Sequence, residues 1–139
     1  MKYMIMMAGS QREYDMLAGK QTGEGPAWTA EEIAAMHEFM GKWNQELVDS
    51  GEFVDARGLA APVHTRRIQL RDGVPVVTDG PYPETQEVLA GYTIVECDSF
   101  DRATEIAARL AGTPHPEHAD LGRDWYVDVR PVVEGAEDL

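Results

Sequence analysis

Residues 78–97 read TDGPYPETQEVLAGYTIVEC, and the second half of that stretch decides the fold. The segment 91–97 (GYTIVEC) is rich in aromatic and β-branched side chains, which suit a pleated, half-buried surface, so it is expected as a central strand. Directly after it, Asp98 or Ser99 offers a side-chain oxygen to the first turn of a helix. Phe100, Ala103, Ile106, Ala107 and Leu110 then recur at helical spacing and give that helix one apolar face before Gly112 ends it. A connection bearing prolines and histidines leads to 125–133, where Trp125, Val127 and Val129 alternate with Tyr126, Asp128 and Arg130. That period of two marks a last strand.

Upstream, the same grammar runs once more. Residues 2–7 are apolar and short and precede Gly9, which reads as a first strand. The stretch 9–27 is polar and interrupted by Gly19, Gly23, Gly25 and Pro26, and it reads as a long connection, either a mobile flap or a functional loop. Thr29-Ala-Glu-Glu32 is a capping box, and Trp28 before it and Ile33 after it have the spacing of a hydrophobic staple. Ile33, Met36, Met40, Trp43 and Leu47 then form one apolar stripe, and Gly51 supplies a stop, so a helix is expected over 30–50. Strand candidates follow at 53–59 and 63–70, then the turn signal Asp72-Gly73, then extended chain at 74–77.

The order is βαββαβ with an extra extended piece in the middle. It predicts a ferredoxin-like α+β domain, an antiparallel sheet with both helices on one face. One domain is expected over 1–133, with 134–139 as a frayed polar tail. The sheet's second face then has to be solvated, paired with a partner or used as a cleft. Asp55 and Arg57 share one face of the second strand and Asp128 and Arg130 share one face of the last, while the phase of Arg66 and Arg67 is open. Such charges suit a polar-lined pocket inside a sheet-on-sheet dimer or, equally, a salt-bridged solvent face.

Composition removes whole classes of function. The 25 acidic against 12 basic residues leave a net charge of −13, which argues against nucleic acid and anionic lipid surfaces, because both need a basic stripe. The apolar start is too short to span a membrane and lacks a signal-peptide cleavage region, so a cytoplasmic protein is expected. Cys97 is a lone cysteine beside apolar strand residues and reads as a small core side chain. His115-Pro-Glu-His118 offers two imidazoles and a carboxylate, but on a Pro-rich loop without a partner cluster, and His64 starts a strand and is equally compatible with an exposed position. Phosphate-binding glycine fingerprints and nucleophile elbows are absent. No metal or cofactor is expected.

The loop 78–87 is a stiff, acidic turn. Gly80 permits unusual dihedrals, Pro81 and Pro83 fix theirs, and Asp79 can accept backbone amides. With the residues that follow, TDGPYPETQEVLAGYTIVE resembles the DGPF-type signature of the YCII-related domain family, with Tyr82 where the signature usually has Phe and Ala90 where it commonly has Gly. The likeness extends to the Lys2-Tyr3-Met4 opening, the helix leading into Gly51, Gly58-Leu59 and Val129-Arg130-Pro131.

This resemblance implies a ferredoxin-like fold that forms dimeric α+β barrels, hence a homodimer. Most of that family has no assigned reaction. Some members of the wider group act as cofactor-free lyases or dehydrochlorinases through a helix His and a nearby Asp; others carry transcription-related labels or a sigma-factor association. Here the helix His position falls on Met40, and His37 lies one turn earlier.

The sequence therefore supports a protein that binds a small anionic or aromatic molecule in a dimer pocket, with Arg57, Tyr82, Asp128 and Arg130 as ligand contacts. The alternatives are a cofactor-independent lyase or isomerase, whose acid–base candidates are His37, Asp79 and Glu84, and a transcription-linked interaction role through a protein partner such as a sigma factor.

Overall fold

The computed structural model describes residues 1–20, 26–116 and 125–139. In chain order its elements are β1 (Lys2–Gly9), α1 (Gln11–Leu17), α2 (Ala30–Ser50), β2 (Phe53–Gly58), β3 (Arg66–Arg71), β4 (Val74–Asp79), β5 (Val88–Glu96), α3 (Phe100–Ala111) and β6 (Asp128–Pro131). Short 3₁₀ turns lie at Pro62–His64 and Ala136–Asp138, the second within the expected tail. The main sheet has the order β2-β5-β1-β6 with every neighbouring pair antiparallel, which is the ferredoxin-like arrangement. The extra extended piece joins no strand of this sheet. It forms its own two-stranded ribbon of β3 and β4, closed by Asp72 and Gly73 at φ 49° and 79°, the positive values a tight hairpin turn requires.

The local signals act as read. Thr29 accepts from the Glu32 amide at 3.1 Å while the Glu32 carboxylate accepts from the Thr29 amide at 2.9 Å, closing the capping box. Gly51 ends α2 in the left-handed region at φ 78°, and Ser99 caps α3 by accepting from the Arg102 amide at 3.1 Å. One expectation is corrected. The stretch 9–27 is not a plain connection, because it contains α1, capped by Ser10, whose hydroxyl accepts from the Glu13 amide at 3.3 Å. Its breakers Gly23 and Gly25 lie outside the described residues.

Two apolar clusters hold the domain. The larger joins Tyr3 and Ile5 of β1, Val95 of β5, Trp43 and Leu47 of α2, and Ala103, Ile106 and Leu110 of α3. Trp43 is buried, and its indole N–H donates to the Ile106 carbonyl at 2.9 Å, so the helix pair is tied by a satisfied polar group. Cys97 belongs to this core, and burial pushes its thiol pKa up. The smaller cluster is Met16 and Trp28, with Leu17, Ile33 and Met36 against them. The α2 stripe serves both: Ile33 and Met36 pack into the small cluster, Met40, Trp43 and Leu47 into the large one.

Among the described residues no helix packs on the opposite face of the sheet. Strand register sets Asp55, Ile94, Met4 and Arg130 across it in one row and Arg57, Tyr92, Met6 and Asp128 in the next. Apolar side chains thus occupy the middle strands and charged ones the two edges.

Candidate functional site

Between the two clusters, along α2, lies a half-open cavity of about 750 Å³. Met7, Thr93 and Gly91 of the sheet form its floor, Met36, Met40 and Gly41 of α2 one wall, Tyr14, Met16 and Trp28 another, and Trp125 and Val127 close the side toward β6. The register shift of β1 between Met7 and Ala8 lies at this end of the sheet, where a bulge bends the strand. Most of the lining is apolar. The polar groups among it include Glu13, Tyr14, His37, Asn44, Arg57 and Thr93. That combination, an apolar hollow with isolated polar groups to orient a guest, is the usual form of a small-molecule site.

Tyr14 is a polar group of the lining held by two backbone carbonyls. The phenol donates to the Leu59 carbonyl at 2.8 Å and lies 3.3 Å from that of Ala90, at the end of the β2–β5 pair. Burial first, and the nearby Glu13 carboxylate second, push its pKa up, so it stays a neutral donor. Its ring also packs beside Gly9, where an added Cβ would stand 3.4 Å away.

Among the site residues expected from sequence, His37 and Arg57 border the cavity. His37 is exposed on α2 at the rim, one turn from Met40, and both side chains line the space. Among the described residues no carboxylate hydrogen-bonds to His37. The guanidinium of Arg57 is held by Asp55 at 2.7 Å on the open side of the sheet, and its Nη1 also donates to the Ala56 carbonyl at 2.7 Å. Asp128 and Arg130 stand exposed on that same side, on edge strand β6, away from the cavity lining.

The three loop residues are used elsewhere. Asp79 accepts from Arg66 Nε at 2.7 Å across the β3–β4 ribbon, with both side chains largely exposed. The guanidinium of Arg67 lies 5.3 Å from the Tyr82 ring centroid, a cation–π contact. Glu84 receives the Arg12 amide on its carbonyl at 3.2 Å, and its carboxylate lies 3.5 Å from the Arg12 guanidinium. The loop therefore binds the ribbon on one side and α1 on the other. In addition, Gln11 Oε1 accepts from the Val63 amide at 2.8 Å.

Nothing in the sequence singles out Tyr14, Trp28 and Trp125 as site residues. The signal for α1 was present in Ser10-Gln-Arg-Glu13, an S-x-x-E start. Nothing comparable marks the space between two clusters. Of the histidine pair, His115 stacks on Trp125 with ring centroids 4.4 Å apart, whereas His118 lies outside the described residues. His64 is exposed at the end of its 3₁₀ turn. Among the described residues no group of three or more His, Cys, Asp or Glu is placed to hold a metal, and no helix is long and apolar enough to cross a membrane.

An uncharacterized protein of Rhizobium meliloti (strain 1021) is 26% identical over 98 residues, covering 70% of this chain and 79% of that protein. The family model described as YCII-related domain matches residues 1–114, which takes in β1 through α3 and every helix that walls the cavity. The chain belongs to the YCII-related domain family.

Proposed function

We propose that this YCII-related domain binds a small, mainly apolar, aromatic molecule in the cavity between α2 and the sheet, and that it works as a homodimer. The observation that carries the binding reading is the lining itself: about 750 Å³ walled by Trp28, Trp125 and several methionines. Methionine adapts its shape and makes favourable sulfur–aromatic contacts, so such walls suit a flat ring. The volume is within the range of ordinary ligand pockets. An aromatic guest fits better than an anionic one, since Arg57 is already engaged by Asp55 and Glu13 adds negative charge to the wall. The homodimer reading is supported by the open sheet face, where Met4, Met6, Tyr92 and Ile94 form an apolar centre between charged edges.

Intrinsic fluorescence tests the first part, because Trp28 and Trp125 report directly on the cavity. Titration with a panel of neutral and carboxylated aromatic compounds should find a neutral one that changes the emission and raises the melting temperature. A panel in which every compound leaves both unchanged rejects the reading.

A second reading, cofactor-independent lyase or isomerase chemistry, is favoured by one observation: His37, the residue type suited to proton transfer near neutral pH, stands at the cavity rim. Turnover of an identified ligand that disappears in His37→Gln supports it. Unchanged turnover in that variant removes His37 from the chemistry.

A further inference from the structure

Thr93 is a polar residue on an apolar row. With Val95 it turns to the helix side of β5, where it is 4% exposed. The register sets it between Ile5 of β1 and Ala56 of β2, both apolar. The other two buried hydroxyl side chains are satisfied: Ser10 accepts from the Glu13 amide, and Thr113 donates to the Leu110 carbonyl. Among the described residues no hydrogen bond reaches the hydroxyl of Thr93. Buried polar groups are costly without a partner, and in native structures nearly all of them have one.

That hydroxyl opens on the cavity. Thr93 Oγ1 is not among the unpartnered atoms sealed inside the protein, so it keeps accessible surface, and Thr93 lines the cavity floor. Gly91, two positions along the strand and on the same side, has no side chain to fill the space beside it; a Cβ there would stand 3.5 Å from Met7 Cε. A hydroxyl both donates and accepts and carries no charge. A carboxylate or ammonium set against Ile5 and Ala56 would lose its hydration with no opposite charge to replace it. A neutral hydroxyl or carbonyl gains a hydrogen bond there while its ring rests on the apolar walls.

We propose that Thr93 is the specificity-determining residue of the cavity. Its hydroxyl takes a neutral hydroxyl or carbonyl group of an aromatic guest, which enters polar end first. The inference rests on the cavity reading above and adds the guest's polar group and its direction.

Matched probes test it: 2-naphthol against 2-methylnaphthalene for a hydroxyl, and 2-acetylnaphthalene against 2-isopropenylnaphthalene for a carbonyl. Equilibrium dialysis gives the dissociation constants for the wild type, Thr93→Val and Thr93→Ser. Within at least one pair, the ratio of the two constants should shift about fivefold or more against the oxygenated probe in Thr93→Val. In Thr93→Ser, which keeps the hydroxyl, that ratio should stay near the wild-type value. Ratios that Thr93→Val leaves unchanged, or that Thr93→Ser shifts equally, overturn the role of Thr93 and leave the cavity reading standing. Binding of no probe to the wild type overturns both. The free proteins supply a measurement that needs no ligand: Thr93→Val loses no protein hydrogen bond, so it should melt at or above the wild-type temperature. A clear fall in melting temperature would mean that the hydroxyl serves the fold, and overturns the proposal.

Discussion

The main-chain amide of Arg12 donates to the carbonyl of Glu84 at 3.2 Å, which joins the first turn of α1 to the loop 78–87. Through this bond and the Arg12–Glu84 ion pair, the loop positions the helix carrying Tyr14 and Met16, two walls of the cavity. The α1 helix is only seven residues long, too short to be stable alone, so its cap and its docking have to hold it. Ser10→Ala removes the cap and should cost about 1 kcal/mol, measured by urea unfolding. It should also weaken binding of a cavity ligand, since the wall loosens. A variant that loses stability but binds as tightly as wild type would detach α1 from the site.

Local chemistry was legible in the sequence wherever a few neighbouring residues settle the structure. Thr29 with Glu32, Trp28 with Ile33, and Asp72 with Gly73 each declare their geometry within a handful of positions, and together they give the element order. Ser10 and Glu13 are just as local, but the glycines downstream draw attention to a loop instead. The fate of Asp79, Tyr82 and Glu84 was not legible. An exposed carboxylate on a rigid turn looks the same whether it faces a ligand, Arg66 or Arg12. The cavity is hidden for a different reason. The stripe Ile33, Met36, Met40, Trp43, Leu47 is continuous in sequence, and only the tertiary fold divides it between two clusters with space between them.

Tyr14 gives a test on the alkaline side. Its phenol donates to Leu59 and reaches Ala90, and Tyr14→Phe removes the donor while leaving the ring. The loss should be about 0.5–1.5 kcal/mol, because the bond to the Leu59 carbonyl is exposed to water and the Ala90 carbonyl keeps the Leu59 amide. The folded pKa is raised, so the stabilisation from the protonated phenol is fully present below the unfolded tyrosine pKa of about 10 and is lost as pH rises through the folded value. Wild-type stability should therefore fall above about pH 10, and the Phe variant should show a smaller fall. Parallel curves for the two proteins would contradict the assignment.

Glu52 and Arg102 give the acid-side counterpart. The guanidinium meets the carboxylate twice, at 2.9 and 2.8 Å, and the Glu52 side chain is only 16% exposed. Hydrogen bonding from Arg102, against an opposing desolvation, holds the Glu52 pKa down at about 2. For a depressed carboxyl the stabilisation is present above the unfolded pKa and disappears as pH falls through the folded value, here between about 4.5 and about 2. Glu52→Gln should cost about 1.5–3 kcal/mol at neutral pH, toward the lower end because Arg102 is partly solvated. The difference between the two proteins should shrink toward zero as pH is lowered through that window. Urea unfolding at several acidic pH values measures it, and a difference that stays constant would mean the pair contributes nothing ionic.

Gly41 separates the cavity from the stability of the helix that walls it. It lies inside α2, borders the cavity, and an added Cβ there would meet nothing within 4 Å. Glycine in a helix interior costs about 0.5–1 kcal/mol relative to alanine, through backbone entropy alone. Gly41→Ala should therefore raise stability by about that amount, with binding nearly unchanged because one methyl group removes little volume. Gly41→Leu has the same helical advantage but sends a branched side chain into the hollow. It should fold as well as wild type and fail to bind any compound that quenches Trp28 and Trp125. The pair is informative because both variants keep wild-type stability or better and only the leucine loses binding. If Gly41→Leu is stable and binds the compound as wild type does, the guest lies elsewhere on the molecule, and the open sheet face becomes the place to look.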